Sequence, residues 1–61
     1  PRDARVRVDL ARALARTGDP DGAERQLLDA LRRDSELRYE ILAHPAFQDL
    51  VGRPELAAAL K

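Results

Sequence analysis

Asp19, Asp21 and Gly22 sit in the run TGDPDGAERQLL with the spacing found in the middle of a calcium loop. Such loops alternate carboxylates and use a glycine for the sharp turn. A hard cation takes about six to eight oxygen donors, so the flanking positions decide the matter. In this register the first ligand falls on Thr17, and Leu28 stands where the closing bidentate Glu belongs. Two essential oxygens are missing, and Pro20 stiffens a loop that must wrap. No metal is expected.

Other chemistry is sparse. The only aliphatic hydroxyls are Thr17 and Ser35, both at expected helix ends, and no Gly-x-Ser-x-Gly elbow, His-Glu-x-x-His pair or phosphate-cradling glycine loop occurs. Without Cys there is no thiolate chemistry, and one His cannot build a multi-histidine site. His44 precedes Pro45 and reads as a helix-end residue rather than a general base. Tyr39 and Phe47 read as partly buried anchors, too few for a base-stacking platform. We expect no catalytic residues, no cofactor and no enzyme activity.

What remains is arginine. Arg5, Arg12 and Arg16 fall on one line of a helix, and guanidinium groups pair with carboxylates in bidentate fashion. An acidic or C-terminal peptide is the natural ligand for such a line. The competing reading is a solvated stripe, salt-bridged to Asp9 or another neighbour.

The elements that carry these residues are helices. Nothing breaks a helix between Arg2 and Thr17, and Ala, Arg and Leu favour one. At 100° per residue the segment shows two apolar stripes. Val6, Leu10, Ala13 and Leu14 form one; Ala4, Val8, Ala11 and Ala15 form the other, roughly opposite. Gly18 suits a helix C-terminus, Asp19 a cap and Pro20 a first turn, so the acidic cluster is a corner between two helices. Ala23, Leu27, Ala30 and Leu31 then share a face, with Arg32 and Arg33 in the last turn. Ser35 is the expected cap of a third helix, Glu36 to Ala43, stopped by Pro45. Two short segments opened by proline follow, PAFQDLV and PELAAALK. No stretch alternates with period two, so the expected fold class is all-α.

Composition limits the rest. Sixty-one residues make one small domain, marginal without staples. Net charge is zero, which argues against nucleic acid, although residues 1–18 hold five Arg against two Asp. Residues 19–61 hold six basic and nine acidic side chains. No apolar run reaches the ~18 residues that would cross a membrane. Ten Arg against one Lys, with many Ala, reads as a bacterial composition, and Pro1 in place of Met leads us to expect a piece of a longer chain. The residues name no compartment; a cytoplasmic one is the default.

At residues 7–35 the spacing resembles the tetratricopeptide repeat, a 34-residue helical hairpin with the pattern Trp-x₂-Leu-Gly-x₂-Tyr, then Ala-x₃-Phe, then Pro. Arg7, Leu10, Ala11 and Leu14 stand in the first part of the pattern, Ala23 and Leu27 in the second, and Ser35 at its end. Arg thus replaces the Trp, Ala the Gly, Leu both aromatics and Ser the Pro. The resemblance covers about half the chain. It implies a hairpin over 1–35, crossing closely at Ala11 and Ala23, and a degenerate repeat or C-terminal cap over 36–61.

It also implies a protein-interaction module whose first helix presents Arg5, Val8, Arg12, Ala15 and Arg16 to a protein or peptide partner. Arg12 stands where some members hold a terminal carboxylate with Asn. One repeat and a cap are fewer than the ~3 units such folds need. We therefore expect the Ala4, Val8, Ala11 and Ala15 stripe to be covered by upstream repeats or by another copy. The alternative function is an oligomerisation or docking segment of a larger bacterial enzyme.

Overall fold

Arg2–Arg16 forms helix α1, Pro20–Arg33 α2, Leu37–Ala43 α3 and Pro54–Ala59 α4, with a 3-10 turn at Pro45–Phe47 between the last two. The computed structural model describes residues 2–61. No strand occurs among them, and the fold is all-α.

The corner after α1 follows from three residues. Gly18 takes φ +88°, a left-handed conformation that a side chain would resist. There the Asp19 amide donates to the Leu14 carbonyl at 2.9 Å and the Gly18 amide to Ala15 at 3.4 Å, which satisfies carbonyls that α1 leaves open. Asp19 then caps α2, its Oδ1 accepting from the Gly22 amide at 3.0 Å, and Pro20 opens the helix where no donor is needed.

The junction to α3 differs from expectation. Asp34, not Ser35, supplies the side chain there, its Oδ1 accepting from the Glu36 amide at 3.1 Å. The helix begins at Leu37, and its capping position, Glu36, makes no side-chain cap bond. Asp34 has left helical geometry for extended backbone, which brings its short carboxylate within reach of an amide two residues on. Ser35 contributes its carbonyl, which accepts from Arg38 at 2.8 Å. Pro45 ends α3 as expected.

One apolar cluster holds the elements together. Ala4, Val8 and Ala11 of α1 and Ala23, Leu27, Ala30 and Leu31 of α2 are buried in it, and Ala11 and Ala23 are fully enclosed. Leu37, Ile41, Phe47, Leu50, Leu56 and Leu60 complete it from the C-terminal half. α1 packs mainly on α2 and also on the 3-10 turn, while α2 touches α3 and α4. Phe47, expected to be partly buried, is fully buried.

The inward face of α1 is therefore the stripe expected to await another chain. Ala4, Val8 and Ala11 are enclosed by this chain's own elements, whereas Val6 is 55% and Leu10 45% exposed. Their small side chains let α1 lie close to its neighbours, where dispersion contacts are densest.

Ion pairs pin the edges. Arg7, where the repeat pattern has Trp, reaches Asp29 at 2.9 Å and Gln26 at 3.2 Å on α2, while Arg33 reaches back to Asp3 at 3.1 Å. Arg53, just before α4, donates from one Nη to both Asp21 (2.7 Å) and Glu24 (3.0 Å). No helix among the described residues is long and apolar enough to cross a membrane.

Candidate functional site

The five residues assigned to a partner surface part company in the fold. Val8 is 2% exposed and belongs to the core, so it is not available to a partner while the chain is folded. This corrects its placement on the binding surface. Burial there is dictated by helical spacing, because Val8 shares its face with Ala4 and Ala11. Ala15 is half-buried. It lines a hollow of about 400 Å³ with Gly18, Pro20, Ala46, Asp49, Leu50 and Arg53.

Arg5 is exposed but engaged. Its guanidinium takes both Glu40 oxygens of α3, with Nη2 to Oε1 at 2.8 Å. Hydrogen bonding to Arg5 holds the Glu40 carboxyl below its ordinary range, and the same bond raises Arg5. Of the neighbours the competing reading offered Arg5, the one it meets is Glu40 on another helix rather than Asp9. Arg12 and Arg16 are exposed, and neither forms an ion pair among the described residues. They are the two of the five that remain open to a carboxylate.

The residues with chemical potential elsewhere have structural duties. Asp19 caps α2, and Asp21 turns away to Arg53, whose hydrogen bond lowers the Asp21 carboxyl. The two carboxylates therefore do not converge as the calcium spacing would require. Among the described residues no group of three or more His, Cys, Asp or Glu could hold a metal. His44 uses Nδ1 to accept from the Ala46 amide at 3.1 Å, and its ring stacks against Phe47 with centroids 4.6 Å apart. It caps the 3-10 turn, in keeping with its reading as a helix-end residue.

Tyr39 departs from expectation. It is 66% exposed rather than an anchor, with the Arg38 guanidinium 4.7 Å from its ring centroid and bonded to its hydroxyl at 3.1 Å. Along α3, Leu37 and Ile41 are enough to fill the inward face, so Tyr39 and Leu42 fall on the outside.

Sequence reasoning also passed over an outward surface on α1. Val6, Leu10 and Ala13 lie exposed at i, i+4 and i+7, on the side away from Val8. The signal was present as the first of the two stripes, but the repeat resemblance turned the second stripe, with Val8 and Ala15, toward a partner instead. Comparison with family models gives no match, and comparisons with curated proteins and with solved structures give none either.

Proposed function

We propose that the chain is a protein–protein interaction module of the tetratricopeptide kind, and that α1 presents Arg12 and Arg16 to an acidic segment of a partner. One observation carries this reading. Arg5 and Arg7 are consumed by carboxylates of the fold, whereas Arg12 and Arg16, on the same helix, pair with none among the described residues. A guanidinium left to solvent can form bidentate contacts with a carboxylate, and its planar fork loses less freedom per hydrogen bond than an ammonium does. The repeat reading is supported by the helical hairpin itself, whose small Ala11 and Ala23 are both fully enclosed.

The test is titration of the chain with a short, labelled, Glu-rich peptide held extended by prolines. Binding should weaken with salt, and Arg12→Glu and Arg16→Glu should each reduce it several-fold. Undiminished binding by the double variant would remove these residues from the surface. Exposed Val6 and Leu10 favour a second reading, a docking or oligomerisation segment. A sedimentation coefficient independent of concentration would count against self-association.

A further inference from the structure

We infer that the outward face of α1 is a docking strip for an acidic amphipathic helix of a partner protein, seated on Val6, Leu10 and Ala13 with its carboxylates toward Arg2 and Arg16. The inference rests on the interaction-module reading and moves the apolar contact from Val8 to the opposite side of the helix.

Shape comes first. Val6, Leu10 and Ala13 form a straight exposed ridge at helical spacing, and Thr17 continues it at i+11. Past its end lies a shallow hollow of about 260 Å³ lined by Ala13, Arg16 and Thr17. Ridges of this kind accept the grooves of another helix. An extended peptide gains less here, because α1 has no unpaired backbone edge to extend. The small side chain of Ala13 allows close approach near the hollow.

Charge then selects the partner. On α1, Arg5 is taken by Glu40, Arg7 by Asp29, and Asp3 by Arg33. Among the described residues this leaves Arg2, Arg12 and Arg16 against Asp9. At 100° per residue, Arg2 and Arg16 lie on one flank of the apolar ridge, near its two ends and with Asp9 between them, and Arg12 lies a little further round on the line it shares with Arg5 and Arg16. Acidic flanks on the incoming helix complement that pattern. A second copy docked through the same face would set one positive excess against another, which disfavours the pairing of two α1 helices.

The experiment titrates the whole chain with two synthetic helical peptides. Both carry Leu along one face; one has Glu on its flanks and the other Lys. The Glu peptide binds and the Lys peptide does not. Val6→Glu and Leu10→Glu each weaken binding by about tenfold or more, as expected for loss of an apolar anchor, while far-UV circular dichroism stays unchanged. Arg16→Glu weakens it too, and Arg32→Glu, at an exposed site on α2, leaves it alone.

Equal binding of the Lys peptide overturns the proposal. So does indifference to both Val6→Glu and Leu10→Glu, or failure of the Glu helix to bind. If the helix fails while the extended Glu-rich peptide binds through Arg12, the module reading survives and only this inference falls. If neither peptide binds, both fall. A concentration-dependent dimer abolished by Val6→Glu would place a second copy on the strip and overturn the acidic helix as its occupant.

Discussion

Arg5 on α1 and Glu40 on α3 meet as a bidentate pair across thirty-five residues of sequence, with Arg5 Nη2 donating to Glu40 Oε1 at 2.8 Å. The pair lies at the surface, so solvent screens it and its effect on stability is small. Its consequence is orientation. α3 is only seven residues long and lacks a side-chain cap, so it depends on neighbours to stay in place. Arg53 does the same for the tail, tying the start of α4 to Asp21 and Glu24 of α2.

These pairs set the response to acid. Arg5 lowers the Glu40 carboxyl and Arg53 lowers the Asp21 carboxyl relative to their ordinary values. Between the folded and ordinary values the unfolded chain binds more protons, so stability rises with pH there. The contribution is present above the ordinary carboxylate range, about pH 4, and is lost as pH falls through the lower folded values. Denaturant midpoints measured from neutral to acid pH should fall in that window. Glu40→Gln and Asp21→Asn should each flatten the slope, and added salt should do likewise.

Leu27 sits at the centre of the cluster with no exposed surface. Leu27→Ala removes three buried carbons that α1 and α2 cannot close over, at a cost of roughly 2–5 kcal/mol. For so small a domain that is comparable to the whole stability. Thermal unfolding by circular dichroism should show the variant largely unfolded near room temperature. Leu28→Ala, on the half-buried side of the same helix, should be much milder.

Asp19 and Gly22 are coupled. Asp19→Ala loses the cap of α2 at about 1 kcal/mol. Gly22→Ala should gain up to about 1 kcal/mol from helix propensity, but a Cβ at Gly22 falls within 2.9 Å of the Asp19 Cγ and pushes the capping carboxylate aside. The two effects should nearly cancel in the native background. In the Asp19→Ala background the gain should appear in full, giving a measurable interaction term in a double-mutant cycle. Strict additivity would mean that Asp19 does not cap through the Gly22 amide.

The corner and the α2 face were legible because local rules determine them. Gly18 and Pro20 act through their own backbone and Asp19 through a bond to an amide three residues on, and Ala23, Leu27, Ala30 and Leu31 offered no competing stripe. On α1 two stripes competed, and local pattern could not rank them. The repeat resemblance turned Val8 and Ala15 outward, but the spacing between helices favours the small Ala4, Val8 and Ala11 inside. Interhelix distance is a property of the assembled fold. The Arg5–Glu40 and Arg53–Asp21 pairs were hidden for the same reason, since each joins residues more than thirty positions apart. Asp34 was missed because Ser35, one residue on, offered an equally good cap by type alone.

The two stripes of α1 allow a direct contrast. Val8→Glu places a carboxylate among Ala4, Ala11 and the α2 face, in a site with no cation to pair with it among the buried residues. An unpaired charge buried in this way is costly enough to exceed the stability of a small core, or the group protonates at a similar penalty. Val6→Glu makes the same chemical change two residues earlier, at a side chain already more than half in water, and should alter stability by no more than about 0.5 kcal/mol. Helicity should therefore collapse in the first variant and persist in the second. Helicity kept in both would mean that α1 is held by less than its Ala4, Val8 and Ala11 face. Collapse in the Val6 variant alone would reverse the assignment of inside and outside on this helix, and with it the location of the strip offered to a partner.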